Sequence, residues 1–316
     1  MKQKILICGA SGFIGRNLVE FYSKKPEYEV FGTYLKSQPY NLPGLKLIKV
    51  DLQNKTEVEA ALKGKEIIIQ AAATTSGAKD ITNTPYLHVT DNAIMNSLIF
   101  RSAHEQNIPH IIFFSCTVMY QPGEKPVKED DFDANKEMYH NYFGAGWTKV
   151  YLEKQAEFYS RLSRTKYTVI RHSNVYGPHD KYDLDKSHVF GATIAKVMTN
   201  TDKKIVVWGT GEAARDLIHV NDLVRFVDLA VQKQEKPFGL YNVGMGKAVT
   251  VRSLVKKIIE ISGKEITVEY DLKKPNFTTK LCVDYTKAKE TFNWEPQISL
   301  ENGIKQTIKW YKKNEK

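Results

Sequence analysis

Residues 5–15 read Ile-Leu-Ile-Cys-Gly-Ala-Ser-Gly-Phe-Ile-Gly, an apolar run followed by a glycine-rich turn. The run predicts a buried strand, and the residues after the last glycine predict an amphipathic helix to about residue 24. Gly9 permits a tight turn, Gly12 lets the backbone approach a pyrophosphate, and Gly15 lets the helix pack closely on the strand. In this strand-to-helix context the turn predicts a dinucleotide-binding fold, in which phosphates meet the amides and positive dipole of the helix N-terminus.

Outward from this turn, short apolar strands alternate with helices. Strands are predicted at 30–34, 47–50, 67–70, 111–114 and 168–170, and helices at 55–63, 90–105 and 145–163. Because such strands must be covered on both faces, the pattern indicates a parallel sheet between two helical layers. The predicted fold class is therefore α/β, with a Rossmann-type doubly wound parallel sheet.

Beyond residue 172 the loops lengthen and the predicted elements become shorter, which indicates a smaller α/β lobe that binds substrate. No linker rich in glycine, serine or proline separates this lobe from the large sheet, so we expect the two units to be interleaved. We assign 1–172 and about 213–240 to the dinucleotide-binding domain. The substrate-binding lobe takes about 173–212 and 241–316.

The composition is that of an ordinary globular protein. The chain has 316 residues, of which 42% are hydrophobic, and no apolar run approaches the roughly 20 residues that span a bilayer. Its first residues enter a strand without the layout of a signal peptide. Cys8, Cys116 and Cys282 are too scattered to indicate disulfides or a metal cluster. We therefore expect a cytoplasmic protein without a bound metal.

The formal net charge is +10, and the lysines that carry it are spread along the chain. No basic helix interleaved with aromatic residues is evident, which argues against nucleic acid as a partner. Solvated surface lysines account for most of the positive charge. An anionic substrate and a pyrophosphate cofactor would interact with a small part of it. We expect neither nucleic acid nor a membrane as a partner.

The end of the second strand bears on the choice between NAD and NADP. An acidic residue there accepts from the ribose 2′-hydroxyl, but the sequence is Thr33-Tyr34-Leu35-Lys36. Lys36 suits a 2′-phosphate and favours NADP, although a plain surface lysine is the alternative interpretation. Asp51 either accepts from the adenine amino group or caps the next helix. The predicted cofactor-binding residues are Gly9, Ser11, Gly12, Phe13, Ile14, Gly15, Lys36, Asp51, Leu52, Ala71, Ala72, Ala73, Asn92, Lys149 and His172.

Three separated motifs mark the second half of the chain. They are Asn174–Asp180 followed by Ser187–Val189, then Val207–Gly211 with Arg215–Asp216 and His219–Asp222, and finally Asn242–Gly244. With these motifs the chain resembles, over essentially its whole length, the extended short-chain dehydrogenases/reductases that epimerise, dehydrate or reduce nucleotide sugars. Within that family it is most similar to GDP-fucose synthases, which are GDP-4-keto-6-deoxymannose epimerase/reductases. The resemblance implies NAD or NADP as cofactor and a nucleotide sugar, GDP-linked, as substrate.

The resemblance also implies roles for individual side chains. The implied substrate-binding residues are Asn174, His188, Val189, Trp208, Arg215 and Lys280. His188 would act as an acid in the epimerising members, and the guanidinium fork of Arg215 would pair with the diphosphate. Trp208 would lie near the base. Other interpretations stay open: a polar His188 with a local partner, Arg215 paired with Asp216, and simple packing of Trp208.

In this family a tyrosine four residues before the active-site lysine transfers the hydroxyl proton of the sugar. Lys149 is that lysine, and position 145 is alanine. In such a pair the lysine ammonium lowers the pKa of the tyrosine phenol from its usual value of about 10. This chain retains the lysine and lacks the tyrosine. We interpret Ala145 as the position of a missing tyrosine, most simply a Tyr→Ala substitution introduced to trap a ligand. Tyr142 precedes Lys149 by seven residues, about 10 Å of helical rise, which we expect to be too far for the same task.

The group that orients the sugar oxygen also departs from the family pattern. Its position, four residues before Tyr120, is Cys116, next to Thr117. We expect one of these two side chains to touch the sugar. Three interpretations of Cys116 stay open: a weak hydrogen-bond donor, a reactive thiol, or a small buried side chain at the end of a strand. Val118 stands where the dehydratases carry Glu and the GDP-fucose synthases carry Cys, and valine cannot remove a proton. The predicted catalytic residues are Ala145, Lys149, Cys116, Thr117 and His188.

These residues favour redox chemistry at C4 of a GDP-sugar in surface-polysaccharide synthesis, by a 4-ketoreductase or C4 dehydrogenase impaired at position 145. A 4-epimerase and a 3,5-epimerase/4-reductase are the alternative enzymes. A non-catalytic NAD(P)-binding sensor is the alternative class, and a retained sugar-diphosphate site argues against it. The resemblance further implies a homodimer or a higher homo-oligomer, with dimerisation through the helices around 92–105 and 146–163.

Overall fold

The computed structural model describes residues 2–74, 84–184, 187–273 and 280–315. In this part of the chain the strands are β1 (Gln3–Cys8), β2 (Tyr28–Tyr34), β3 (Leu45–Lys49), β4 (Ile67–Gln70), β5 (His110–Phe114), β6 (Lys166–His172), β7 (Asn174–Tyr176), β8 (Lys204–Trp208), β9 (Ala214–His219), β10 (Phe238–Val243), β11 (Ala248–Thr250), β12 (Thr267–Asp271) and β13 (Lys280–Leu281). The helices are α1 (Phe13–Tyr22), α2 (Lys55–Leu62), α3 (Tyr86–Glu105), α4 (Phe143–Leu162), α5 (Val189–Thr199), α6 (Val220–Lys233), α7 (Val251–Ser262), α8 (Thr286–Phe292) and α9 (Leu300–Asn314). None of the helices in these residues is long and apolar enough to span a membrane.

The largest sheet has seven strands in the order β10–β6–β5–β4–β1–β2–β3, and every neighbouring pair is parallel. The chain starts at β1, moves outward to β3, and then crosses back to β4 on the other side of β1. This reversal of direction opens a crevice at the carboxyl ends of β1 and β4, where ligands of such sheets bind. The predicted doubly wound parallel sheet is confirmed.

The side chains of β1 alternate between two hydrophobic cores. Ile5 and Ile7 pack with α1 and α6 on one face of the sheet. Leu6 and Cys8 pack with α2, α3 and α4 on the other face. All four side chains are fully buried. Because both faces are covered, the strand is apolar throughout, which is why it could be recognised from the sequence.

The six strands predicted from the sequence are all present, and the sheet holds a seventh. β10 was missed because Gly239 and Asn242 interrupt its apolar run. Two helices begin earlier than predicted: α3 at Tyr86 rather than near residue 90, and α4 at Phe143 rather than at 145. The start of α4 matters most, because it places Tyr142 just outside the helix.

The rest of the chain forms two smaller sheets. One joins β11, β9 and β13, with β7 paired to β9, and the other pairs β8 with β12. A third core, to which α5, α7 and α9 contribute, covers them. The division into two lobes stays a prediction, but two of its boundaries move. β9, assigned to the dinucleotide-binding domain, pairs within the smaller sheet, and β10 runs past residue 240 in the large one.

Candidate active site

The glycine turn between β1 and α1 forms a cradle that side chains would fill. Gly9 has a φ of +74°, and its carbonyl accepts a hydrogen bond of 2.9 Å from the amide of Gly12. A Cβ on Gly15 would stand 2.1 Å from the Gly9 oxygen, and a Cβ on Gly9 would stand 2.7 Å from the Cα of Ala72. The helix begins directly after this turn, at Phe13. The tight backbone and the amides of the first helical turn, including those of Phe13 and Ile14, therefore fit the pyrophosphate of a dinucleotide.

The ends of β2 and β3 lie beside this cradle. The Thr33 hydroxyl accepts from the amide of Gly9 at 3.0 Å, and the Ser37 hydroxyl donates to that of Ser11 at 2.6 Å. Lys36, one residue before Ser37, is exposed. The end of the second strand and the residues after it thus place the hydroxyls of Thr33 and Ser37, and Lys36, at the edge where the adenosine ribose of a dinucleotide would lie.

Asp51 follows β3 and does not cap the next helix. Its carboxylate accepts from the amide of Gln53 at 2.9 Å, and Leu52 between them is buried. The N-cap of α2 is Asn54, whose side chain accepts from the amide of Glu57 at 3.2 Å. The helix-cap interpretation of Asp51 is therefore wrong, and its proposed contact with adenine stays a prediction.

The residues after β4 form the wall opposite the glycine turn. The amide of Ala71 donates to the carbonyl of Cys8 at 3.2 Å, and Ala73 continues the segment towards Thr74. Asn92 of α3 is buried and clamps Thr74 from both sides: its oxygen accepts from the Thr74 amide at 3.1 Å, and its NH₂ donates to the Thr74 carbonyl at 2.9 Å. In this structure Asn92 therefore holds the wall in place, and its predicted contact with the cofactor stays a prediction.

Lys149 reaches from α4 to the carboxyl end of β5. Its ammonium donates to the carbonyl of Phe114 at 2.8 Å and lies 5.0 Å from the ring centroid of Phe113. Burial lowers the pKa of this ammonium, while the neighbouring Cys116 thiol and Glu153 carboxylate act to raise it. The structure therefore fixes Lys149 at the carboxyl edge of the sheet, and its predicted contact with the nicotinamide ribose stays a prediction.

Cys116 and Thr117 lie in the turn that follows β5. Cys116 is half-buried, and its thiol pKa is raised by burial and lowered by the ammonium of Lys149. Thr117 is buried, and its carbonyl accepts from the amide of Tyr120 at 3.1 Å. Which of these two predicted side chains contacts the sugar stays a prediction. Val118 stands in the same turn and offers no group that titrates.

Behind this turn lies a buried polar network that sequence reasoning missed. The guanidinium of Arg171 donates to Glu153 at 2.6 and 3.0 Å and to the Tyr120 hydroxyl at 2.8 Å. The Ser115 hydroxyl donates to Glu153 at 2.5 Å, and the Tyr120 hydroxyl donates to Asn242 at 2.8 Å. The network ties α4, β6 and β10 to the residues on either side of Cys116. An arginine inside the otherwise apolar sixth strand was the signal that could have revealed it.

Two histidines border the same region. Burial lowers the pKa of His172 to about 4, and the charges of Lys149 and His188 contribute in the same direction. His188 forms the N-cap of α5, and desolvation also lowers its pKa. The structure thus brings Lys149, His172 and His188 within electrostatic range, with both imidazoles favoured in the neutral form. In the described part of the chain, no three His, Cys, Asp or Glu side chains cluster to hold a metal.

The predicted substrate residues Asn174 and Arg215 sit on the adjacent strands β7 and β9. The Asn174 amide donates to the carbonyl of Asp216 at 3.3 Å, and the Arg215 guanidinium donates to the carbonyl of Ala214 at 3.0 Å. Asp216 is buried and accepts from the backbone amides of Met245 at 2.7 Å and of neighbouring residues. The carboxylate of Asp216 thus holds the segment after β10, and the proposed pairing of Arg215 with the diphosphate stays a prediction.

The remaining predicted contacts lie further out on the smaller lobe. Trp208 ends β8 with 55% of its surface exposed, which excludes simple core packing. Val189 is the first residue of α5. Lys280, in β13, is exposed and pairs with Glu124 at 3.3 Å. Their contacts with a nucleotide stay predictions.

The parallel sheet and the glycine turn together define a Rossmann-type fold of the dinucleotide-binding kind. The chain matches the NAD dependent epimerase/dehydratase family over residues 5–244 and belongs to that family. Its family assignment from the sequence motifs is therefore confirmed.

Similar proteins act on nucleotide sugars. The chain is 28% identical to the GDP-L-colitose synthase of Yersinia pseudotuberculosis, over 98% of this chain and 97% of that protein. It is 27% identical to GDP-L-fucose synthase 1 of Arabidopsis thaliana, over 98% of this chain and 94% of that protein. The UDP-glucose 4-epimerase of Thermotoga maritima, solved with UDP-glucose, superposes with a TM-score of 0.88 at 26% identity, covering 99% of this chain and all of that one.

Proposed function

We propose that this protein is an NAD(P)-dependent 4-ketoreductase of a GDP-linked sugar, acting in the cytoplasm in the synthesis of surface-polysaccharide precursors. The reverse direction, C4 dehydrogenation, uses the same residues. The single observation that supports C4 chemistry best is the turn after β5. There the Lys149 ammonium acts to lower the pKa of the Cys116 thiol, while Val118 supplies no base for the carbons next to C4. The relatives that synthesise GDP-L-colitose and GDP-L-fucose favour a GDP-sugar over other nucleotide sugars.

The cofactor supplies or accepts hydride when it is bound, and the chain's own residues do the rest. The glycine turn and the first turn of α1 hold its pyrophosphate. Lys149 holds the nicotinamide ribose and keeps positive charge near the oxygen that changes protonation. Arg215 neutralises the diphosphate of the sugar nucleotide, and Asn174 orients it. We infer a preference for NADP from Lys36, the exposed residue before Ser37, whose hydroxyl donates to Ser11 of the glycine turn.

The test is turnover of GDP-4-keto-6-deoxymannose with NADPH and with NADH, followed by loss of absorbance of the reduced cofactor. We expect reduction, faster with NADPH, and no comparable reaction with the UDP- or dTDP-linked 4-keto sugars. Equal rates with all three nucleotides would contradict the GDP assignment. Interconversion of two 4-hydroxy sugars without net use of cofactor would instead identify a 4-epimerase. Binding of cofactor with no affinity for any nucleotide sugar would favour the sensor.

We also propose that the protein is a homodimer. Two stripes of exposed apolar side chains run along the adjacent helices α3 and α4. They comprise Leu87 and Ile94 on α3 and Tyr151, Phe158 and Leu162 on α4. Light scattering should give twice the chain mass of 36.1 kDa. The Phe158→Glu variant should give a monomer, because a carboxylate cannot be buried in such an interface without a partner. A monomeric parent protein would contradict the proposal.

A further inference from the structure

We propose that Glu153 and Arg171 position the turn after β5, residues 115–120, which contains the predicted sugar contacts Cys116 and Thr117. The inference deepens the proposed 4-ketoreductase function and rests on it, because the sugar would be held by this turn. Glu153 and Arg171 act through hydrogen bonds at the two ends of the turn. They are therefore positioning residues and not catalytic ones.

Helix α4 binds the end of β5 at two successive residues. The ammonium of Lys149 donates to the carbonyl of Phe114 at 2.8 Å. The carboxylate of Glu153, one helical turn further on, accepts from the hydroxyl of Ser115 at 2.5 Å. Since Cys116 follows directly, these two bonds fix the point at which the chain enters the turn.

Arg171 holds the other end of the turn. Its guanidinium donates to the hydroxyl of Tyr120 at 2.8 Å, and that hydroxyl donates to the side chain of Asn242 at 2.8 Å. The amide of Tyr120 donates to the carbonyl of Thr117 at 3.1 Å, which closes the turn on itself. Arg171 also donates to the backbone carbonyl of Glu129 at 2.9 Å. The position of Tyr120 is therefore set by β6 and β10, which lie outside the turn.

One ion pair joins the two ends. The carboxylate of Glu153 accepts from the guanidinium of Arg171 at 2.6 and 3.0 Å, and both side chains are buried. Ser115 and Tyr120 are buried as well. Charge-assisted hydrogen bonds are stronger away from solvent, so the four side chains form one connected network. A displacement of either charged partner must move an end of the turn.

Stability alone does not require a charged pair at this place. Apolar side chains of similar volume often stabilise a core as well as a buried ion pair does. They could not accept from the hydroxyl of Ser115 or donate to that of Tyr120. Because hydrogen bonds fix a direction and apolar packing does not, the pair is suited to setting the geometry of the turn.

Variants that lack one hydroxyl separate the turn from the ion pair. Ser115→Ala and Tyr120→Phe each remove a bond to the turn and leave Glu153 bonded to Arg171. We expect each to lower kcat with GDP-4-keto-6-deoxymannose by about 10–100-fold, the cost of a displacement of about 1 Å, and to change KM by less than about twofold. Ser160→Ala, which removes a buried hydroxyl from the same helix, is the matched control and should leave kcat unchanged.

Alkylation of the cysteines by iodoacetamide gives a readout that needs no turnover. Cys116 is half-buried, whereas Cys8 and Cys282 are buried. Without the bond from Ser115 the turn should open more often. We therefore expect Ser115→Ala to be alkylated at Cys116 about 3–10-fold faster than the parent protein, the worth of one neutral hydrogen bond. Mass spectrometry of the peptides should find Cys8 and Cys282 unmodified in both proteins.

The double variant Glu153→Leu/Arg171→Met tests the distinction from a purely structural role. We expect it to retain most of the stability of the parent protein and to lose kcat as Ser115→Ala does. Full activity of the double variant, or an unchanged kcat in both single-hydroxyl variants, would overturn the positioning role. Faster alkylation of all three cysteines in Ser115→Ala would also overturn it, because that result indicates a general loss of stability.

Failure of the parent protein to reduce GDP-4-keto-6-deoxymannose would overturn the proposed function instead. The alkylation of Cys116 would then still decide whether the network holds the turn. Selective acceleration at Cys116 in Ser115→Ala would support it, and an unchanged rate would contradict it.

Discussion

The ammonium of Lys149 donates a hydrogen bond of 2.8 Å to the carbonyl oxygen of Phe114, the last residue of β5. This bond ties the active-site helix α4 to the carboxyl edge of the central sheet. It also brings the ammonium within electrostatic range of the Cys116 thiol, two residues beyond Phe114. The chemistry of the site is thus built onto the same edge as the glycine turn, and the two can share one dinucleotide.

The glycine turn should be intolerant of even one methyl group at Gly15. A Cβ there would stand 2.1 Å from the Gly9 carbonyl oxygen, so Gly15→Ala must push the helix away from the turn. We expect this variant to lose measurable binding of NADPH by calorimetry and to lose about 1–3 kcal/mol in the free energy of unfolding. Gly123→Ala is the control, since no atom lies within 4 Å of a Cβ there. Unchanged NADPH binding by Gly15→Ala would contradict the assignment of the turn.

Lys36 should distinguish the two cofactors. If its ammonium meets a 2′-phosphate, Lys36→Ala weakens NADPH binding by about tenfold, the worth of a charged hydrogen bond. NADH has no phosphate at that position, so its dissociation constant should stay the same. Titration of protein fluorescence with each cofactor measures both constants. An equal effect on the two cofactors would mean that Lys36 is a surface lysine without a role in selection.

Removing one partner of the buried ion pair between Glu153 and Arg171 should destabilise the fold far more than replacing both. Their side chains are 5% and 4% exposed. We expect Glu153→Leu to lose about 3–5 kcal/mol in the free energy of unfolding, because the guanidinium stays buried without its partner. The double variant Glu153→Leu/Arg171→Met should recover most of that loss.

Urea denaturation measures all of these variants. Glu105→Ala, which removes one partner of an exposed pair with Arg101 on α3, is the matched control and should leave stability unchanged. Equal losses for Glu153→Leu and the double variant would show that the destabilisation comes from packing rather than from the unpaired charge.

Asp180 should make the stability depend on pH in a direction unusual for an aspartate. Burial raises its pKa to about 7, against the hydrogen bond that its carboxylate accepts from the amide of Lys181 at 2.7 Å. Between about pH 4 and pH 7 the folded chain keeps a proton that the unfolded chain has released. The contribution of Asp180 to stability is therefore present at low pH and is lost as the pH rises through that window.

The comparison of Asp180→Asn with the parent protein isolates this effect. The buried histidines, such as His172 with its pKa near 4, titrate in both proteins and cancel. The variant should gain stability relative to the parent as the pH rises from 4 to 7, and the difference should stay constant above that. Melting temperatures at unit steps of pH measure the difference. A difference that does not vary with pH would show that Asp180 ionises normally in the fold.

The parts of the fold that depend on local pattern could be read from the sequence, and those that depend on long-range packing could not. The glycine turn and β1 combine an apolar run with a fixed spacing of glycines, and both were predicted. β10 was missed because its strand is made by pairing with β6, which tolerates Gly239 and Asn242 within it.

The same division applies to the site. Lys149 was assigned from the family resemblance, and its helix was predicted from the local pattern. The start of α4 at Phe143, two residues before the predicted start, could not be read from the sequence, because no capping side chain marks it. The network of Arg171, Glu153 and Tyr120 joins residues far apart in the chain, and no local spacing encodes it.

The central claim, reduction at C4 without proton exchange at C3 or C5, is tested most directly by running the reaction in D₂O. GDP-4-keto-6-deoxymannose is incubated in D₂O with NADPH and the protein, and the product is then transferred to H₂O. Its deuterium content is measured by mass spectrometry and compared with that of an enzyme-free control. Since Val118 offers no base, we predict oxidation of NADPH and a product with no deuterium on carbon beyond that of the control. Deuterium incorporated at C3 or C5 by the protein, or no oxidation of NADPH at all, would contradict it.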